Sequence, residues 1–500
     1  NRPAPFEGLL IANRGEIAMR VIRACRELGI SPIAVHSDAD ADAPHATAAD
    51  RSIRIGPATA DASYLSIAAV VAAAIDSGAQ AVHPGYGFLS ENAAFARAVI
   101  DAGLVFVGPP PEVIEALGNK LAARQAVEAA GVPTVPGTHV ALIGPAGAVE
   151  ELGFPILLKA AAGGGGRGMR RVDRADELDG AMEAARREAL AAFGDGTIYA
   201  ERLISPARHV EVQLLGDRHG GLAVLGERDC SVQRRHQKLV EESPAPGIDE
   251  ATRQALFDSA RRVAGTVAFH NAATVEFLVD TDGGHYFLEM NTRLQVEHGV
   301  TEMVTGLDLV AWQIRVAAGE RLPPSVLEVE RRGHAIEVRL YAEDPWDGFR
   351  PVAGRIGAWR MPDGPGTRVD TAAGAGMEVR PEYDPLLAKL MVHATDRPSA
   401  VARLRRALDE TLIGGVQTDA GFLRWLVDEP GFASGRYDTA IIPQRWGSGA
   451  PLDAEDGAIA AAAAIAGRRN APQGRAPGSV APAAAPSSAW GEAARREALR

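Results

Sequence analysis

The sequence predicts a multidomain chain of α/β and α+β type, and three observations carry that prediction. Residues 8–56 read as strand, turn, helix and strand, and the same alternation recurs to about residue 115. Five glycines stand within six residues at 163–168, directly behind an apolar strand in FPILLKAAAGGGGRGM. Asp282-Gly283 separates two alternating runs, TVEFLVD and HYFLEMN, which is a strong hairpin signal. At 500 residues the chain is too long for one ordinary core, so two to four domains are expected.

In order along the chain, GLLIANRGEIAMRVIRACRELGISPIAVH gives a first β-α-β unit whose helix ends at Gly29. A helix near 64–77, the strand in QAVHPGYG, a helix at 91–103 and the strand LVFVGP extend it into a parallel sheet, a Rossmann-type domain over 6–115. Its first turn, ANRGEI, is not GxGxxG, so dinucleotide binding is weakly supported. Asp38, Asp40 and Asp42 mimic the start of a calcium loop, but Ala43 and Ala49 stand where Gly and Glu are needed, which excludes calcium there. A second domain is expected from 119 to about 330. A third runs to 446, with helical patterns around 398–411 and 419–429. Residues 447–500 form a tail: an Ala-rich helix at 453–469, a low-complexity Ala/Pro/Gly linker at 470–488, and AWGEAARREALR.

Net charge is −12, which argues against broad nucleic-acid or anionic-membrane binding. Cys25 and Cys230 make no CxxC pair, so a disulfide framework and a thiolate zinc site are both disfavoured, and a reducing, cytosolic setting fits. No run approaches ~18 apolar residues, as a membrane-spanning helix needs. The start, NRPAPFEG, has no signal-peptide core and no Met, which fits a processed or cut N-terminus. Of the 52 basic residues 48 are Arg. Only Lys120, Lys159, Lys238 and Lys389 are Lys, so positions that keep Lys stand out as wanting a compact point charge.

Lys159 delivers an ammonium to the glycine run, where backbone N–H groups can approach an anion; no GK[ST] follows, so this is a phosphate lid rather than a Walker A loop, or else a plain surface loop. Closing the hairpin symmetrically at Asp282-Gly283 sets Glu276 opposite Glu289. Facing carboxylates repel, which makes sense if a divalent cation lies between them. Asn291 shares the face of Glu289, and two carboxylates with an amide oxygen suit Mg²⁺ or Mn²⁺ carried with phosphates. If the segment stays extended, Glu289, Asn291, Arg293, Gln295 and Glu297 all point one way; a merely solvated face is the alternative. ERDCSVQRRHQK concentrates Arg234, Arg235, His236 and Lys238 into an anion site or an exposed basic stretch. HVEVQ puts His209, Glu211 and Gln213 on one face, and AIEVRLYAED puts Arg339 among polar neighbours. No GxSxG elbow occurs.

Taken together, GEIAMRVIRACRELG, HPGYGFLSEN, KAAAGGGGRGM, RHVEVQ, ERDCSVQRRHQK and EMNTRLQVEHGVTE resemble biotin carboxylase, of the ATP-grasp superfamily, over about 6–446. The resemblance implies a Rossmann-like pre-ATP-grasp domain (1–118), an ATP-grasp domain with a mobile lid (119–330) and a mixed C-terminal domain (331–446). It implies that MgATP and bicarbonate give carboxyphosphate, with CO₂ then passed to N1′ of biotin on a carrier. Lys120, Lys159, Gly164, Gly165, Gly166, Glu201, Ile204, His209, Gln233, His236 and Leu278 then match nucleotide contacts, the stretch from Glu201 to Ile204 holding adenine and Lys159 and His209 the phosphates. Glu276, Glu289 and Asn291 match the metal ligands, for two ions. Lys238, Arg293, Gln295, Val296 and Glu297 match the bicarbonate site, with Glu297 as base. Arg339 matches the group that stabilises biotin enolate, and Tyr86 lines the biotin pocket. The chain departs from the family at Ala162, at Gly299 in place of a common Pro, and at RPVAG over 350–354.

No Lys follows Lys389, so the biotin-bearing Lys lies elsewhere. The tail resembles the lead-in to downstream domains of acyl-CoA carboxylases. The implied partners are a biotin carboxyl carrier and a carboxyltransferase, in a homo-oligomeric, cytoplasmic assembly without nucleic acid or membrane. Rival readings are a pyruvate or urea carboxylase, another ATP-grasp ligase using ammonia or an amino acid, and a nucleotide-binding scaffold without activity.

Overall fold

A computed structural model describes residues 3–138, 152–161 and 169–446. Ala162, the glycine run with Gly164, Gly165 and Gly166, and the 447–500 tail lie outside the described residues.

The β-α-β pattern produces the expected parallel sheet, of five strands in the order Arg51–Gly56, Ser31–Ser37, Gly8–Ile11, Ala81–His83, Val105–Phe106. Two of its helices start where short polar side chains cap them: Ser66 accepts from Ala69 N and Asn92 from Phe95 N. Chain order reverses between Gly8–Ile11 and Ala81–His83, and such a switch point opens a crevice at the carboxyl ends of the strands. Asn13 ties the two loops there, donating to Pro84 O at 2.7 Å and Tyr86 O at 2.8 Å.

Ile156–Ala160 pairs with Met169–Val172 and Ile198–Arg202, and helix Leu178–Phe193 covers this small antiparallel sheet around its own apolar core. The main body is one eight-stranded antiparallel sheet, ordered His285–Asn291, Asn271–Asp280, Ala207–Gly216, Leu222–Arg234, Gln237–Ser243, His334–Tyr341, Leu386–Ala394, Thr367–Thr371. It runs through both of the later expected segments, because Gln237–Ser243 hydrogen-bonds to His334–Tyr341. Helices Arg397–Glu410 and Ala420–Asp428 form close to where the sequence periodicity puts them.

The hairpin differs from expectation at its tip. Asp280 N donates to Gly284 O at 2.8 Å, so residues 281–283 form a three-residue loop, with Gly283 at φ +82°. Asp280 Oδ1 accepts from Asp282 N at 3.0 Å and Gly284 N at 2.7 Å, which favours this longer loop over the two-residue turn. Near the loop the pairing is one residue off, Phe277 facing Phe287. An irregularity between Glu276 and Phe277 absorbs the offset, and Glu276 still faces Glu289.

Candidate active site

The large sheet carries a row of charge. Arg228 faces Glu211, Glu211 faces Glu276, and Glu276 faces Glu289, on four neighbouring strands. Directly opposed side chains in antiparallel pairs share a face roughly 5 Å apart, so three carboxylates stand side by side and repel unless cations intervene. Cations do intervene. Arg228, with no side-chain exposure, donates to Glu211 Oε1 at 2.5 Å. Lys120 Nζ donates to Glu289 Oε2 at 2.9 Å. His209 Nε2 lies 2.7 Å from Glu276 Oε2. Burial pushes the Glu276 carboxyl up, but Lys238 and His209 outweigh it and hold the group well below the usual carboxylate range.

Above this row lies a cleft of about 1530 Å³. Of the described expected site residues, Tyr86, Lys120, Lys159, Ile204, His209, Gln233, His236, Lys238, Glu276, Leu278, Glu289, Asn291, Arg293, Gln295, Val296, Glu297 and Arg339 all line it. Glu201 does not: its carboxylate pairs with Arg124 Nη1 at 2.6 Å and with Lys159, which does line the cleft. His236 reaches the cleft from the turn closing Leu222–Arg234 on Gln237–Ser243. Arg235 at φ +49° and His236 at φ +67° form a tight turn without glycine, a conformation that costs energy and is kept where the surroundings enforce it.

The densest group is centred on Lys238. Its Nζ donates to Glu211 Oε2 at 2.7 Å, Glu297 Oε1 at 2.7 Å and Glu276 Oε1 at 3.1 Å. Arg339 Nη2 donates to Glu297 Oε2 at 2.9 Å and also to Glu241. Burial alone would raise the Glu297 carboxyl; Lys238, Arg339 and Arg228 reverse this and hold it well below the usual range. Glu241 keeps the opposite balance, with burial outweighing Arg339 and pushing it up to about 7. Among the described residues, Glu211, Cys230 and Glu297 bring ligand atoms within mutual coordination range. Lys238 Nζ already donates to two of those carboxylates, Glu211 and Glu297.

The extended face expected through Glu297 does not persist. The strand stops at Asn291, and Glu297 immediately precedes helix His298–Thr305. Arg293 turns to Glu91 Oε2 at 2.9 Å and Gln295 Oε1 at 2.9 Å rather than to Glu297. Asn291 Nδ2 donates to Glu276 Oε1 at 2.8 Å, which keeps its amide beside the facing carboxylates. The donor set of Glu276, Glu289 and Asn291 therefore fits a hard divalent ion held by oxygen. Arg228, Glu241 and Glu91 were not singled out in the sequence; Glu241 and Glu91 meet Arg339 and Arg293 across 98 and 202 residues, whereas Arg228 meets Glu211 on the neighbouring hairpin strand, where alternation could have found it.

The family model described as biotin carboxylase, N-terminal domain, matches residues 5–114, and the one described as biotin carboxylase C-terminal domain matches 337–444. Between them, the carbamoyl-phosphate synthase L chain ATP-binding domain model matches 119–325. The chain is 48% identical over 440 residues to the biotin carboxylase of Halalkalibacterium halodurans, covering 87% of this chain and 97% of that one. The chain belongs to the biotin carboxylase family. It is an ATP-dependent ligase with an ATP-grasp domain. It is also 48% identical over 445 residues to the mitochondrial methylcrotonoyl-CoA carboxylase subunit alpha of Glycine max, covering 87% of this chain and 60% of that one. The solved biotin carboxylase domain of Hydrogenobacter thermophilus 2-oxoglutarate carboxylase, in complex with MgADP, ADP and bicarbonate, superposes with a TM-score of 0.86 at 44% identity, covering 90% of this chain and 99% of that one. Among the described residues no helix is long and apolar enough to cross a membrane.

Proposed function

We propose that this biotin carboxylase performs the first half-reaction of a cytosolic acyl-CoA carboxylase, with Glu297 as the base that activates bicarbonate. The observation that carries the proposal is the convergence of Lys238 and Arg339 on the Glu297 carboxylate in the cleft. Those cations provide a place for a small anion beside a carboxylate. In the free protein they also suppress the basicity of Glu297. A bicarbonate held by Lys238 and Arg293 draws part of the field of Lys238, so Glu297 becomes a stronger base when its substrate is present.

Glu297 then accepts the bicarbonate proton, and the bicarbonate oxygen attacks the γ-phosphorus of ATP, with ADP leaving and carboxyphosphate forming. Loss of phosphate releases CO₂, and phosphate takes the N1′ proton of biotin. The resulting enolate, its oxygen beside Arg339, forms the N1′–C bond to CO₂, restoring the ureido carbonyl. Lys120, Lys159 and His209 bind the phosphates. Gln233, His236, Ile204 and Leu278 receive the base and sugar, and Tyr86 borders biotin. A divalent ion held by Glu276, Glu289 and Asn291 neutralises charge on the transferring phosphates when bound; phosphoryl transfer depends on such positioning and neutralisation.

The acyl-CoA context rests on the likeness to methylcrotonoyl-CoA carboxylase. The likeness to a 2-oxoglutarate carboxylase favours a 2-oxo acid as the second reading. A carrier segment supplies the biotinyl Lys, and a carboxyltransferase, in a homo-oligomeric assembly, receives the product. Glu297→Gln tests the base. Turnover is expected to fall by roughly a hundredfold or more while ATP affinity holds; wild-type bicarbonate-dependent turnover in that variant rejects the assignment.

A further inference from the structure

Three of the chain's four lysines line the cleft. The fourth, Lys389, lies on the interior strand Leu386–Ala394 with no side-chain exposure. Its Nζ donates to Val296 O at 2.7 Å, and lies 3.2 Å from Glu16 Oε1 and 3.9 Å from Asp370 Oδ2. Val296 immediately precedes Glu297, in the turn between the strand ending at Asn291 and the helix starting at His298. The preceding carbonyl, Gln295 O, lies 2.8 Å from His298 Nδ1. Two successive carbonyls of the segment that presents Glu297 are thus held by buried side chains. Glu16 carries the connection to the opposite wall, because it also accepts from the Tyr86 hydroxyl.

The choice of residue carries information here. This chain uses Arg at 48 of 52 basic positions, yet keeps Lys at 389. An ammonium is a compact charge whose donors rotate toward a carbonyl on one side and carboxylates on the other, whereas a guanidinium is a larger, flat fork. A close-packed interior has no slack for the larger group.

We propose that Lys389 is a positioning residue for the carboxylation step: it fixes the Val296 carbonyl, and so the Glu297 carboxylate, relative to Tyr86 on the facing wall. This rests on Glu297 being the base. Lys389 touches no substrate. Its effect is on where the base stands, and displacement of a reacting group by about 1 Å can cost on the order of a hundredfold.

The test uses Lys389→Met, Lys389→Arg, Glu16→Gln and Glu297→Gln in the full chain. The measurements are kcat, KM for ATP, bicarbonate and free biotin, and the urea unfolding midpoint. Lys389→Met is expected to lower kcat by roughly ten- to a hundredfold and raise KM for bicarbonate, with KM for ATP within about twofold of wild type. Lys389→Arg is expected not to restore kcat. Glu16→Gln, which keeps its shape, is expected to raise KM for biotin, and it reads the same connection if Lys389→Met does not fold. Wild-type kinetics in Lys389→Met, full rescue by Lys389→Arg, or wild-type kinetics in Glu16→Gln overturns the proposal. So does a loss of ATP affinity in folded Lys389→Met that matches its loss of turnover, which marks a purely structural lysine. Glu297→Gln separates the two claims: if it is impaired while Lys389→Met is normal, only the positioning role falls, and if it is normal, the base reading falls first.

Discussion

Glu297 is ionised before any substrate arrives, because two hydrogen-bonded cations and Arg228 outweigh its burial. The same cations that would bind bicarbonate therefore hold the base in check. Glu289 presents a simpler balance. It faces Glu276 and, among the described residues, pairs with the partly exposed Lys120, and such a pair contributes little to stability. Glu289→Gln is thus expected to leave the thermal midpoint unchanged or slightly raised, since it removes repulsion. It should also shift the Mg²⁺ or Mn²⁺ titration of ATP cleavage to higher concentration; a lower midpoint with an unchanged titration counts against the metal role. Which residues were legible follows from how they meet. Glu276 and Glu289 were readable because hairpin register is a local property. The direction of the Arg293 side chain was not readable, because its partner, Glu91, lies in a different part of the fold.

At the scale of elements, the hairpin reached its expected register through two departures that cancel, a longer loop and an irregularity beside Glu276. Alternation correctly grouped the residues up to Asn291 and failed beyond it, because a helix start at His298 bends the chain. The same helix explains a family departure. A Cβ at Gly299 would stand 2.2 Å from Met391 Sδ, on the strand packed beneath. Gly at 299 and Met at 391 therefore form a matched pair. Gly299→Ala alone is expected to destabilise by about 1–3 kcal/mol through overpacking. Combining it with Met391→Ala should cost less than the sum of the two single changes, measured as a double-mutant cycle in urea. Strict additivity would show that the contact is relieved elsewhere.

For the molecule as a whole, sequence periodicity found the parallel sheet and the helices Gly15–Glu27, Ile67–Asp76, Ala93–Asp101, Arg397–Glu410 and Ala420–Asp428, but it did not place Lys120–Ala129, Leu178–Phe193, Glu250–Ala264 or Leu309–Ala317. It did not reveal that one antiparallel sheet joins the two later segments, since strand neighbours there are set by long-range pairing. Burial on this scale also sets acid sensitivity. His45 has no exposure, and burial pushes it down to about 4. Between the unfolded value near 6.5 and about 4, the unfolded chain binds a proton that the fold excludes, so this residue lowers stability as pH falls through that window. Relative to wild type, His45→Gln should therefore gain up to about 1.4 kcal/mol per pH unit on going from neutral pH to about pH 5, read from urea unfolding; a difference that does not change with pH would contradict this. The central claim, a ligase that spends ATP on bicarbonate and delivers carbon to biotin, is tested most directly by following ADP release while bicarbonate and free biotin are added separately to the chain with Mg²⁺ and ATP. The predicted result is cleavage that requires bicarbonate, rises with biotin, and leaves labelled carbon on biotin. Cleavage indifferent to both, or dependent instead on ammonia or an amino acid, would contradict it.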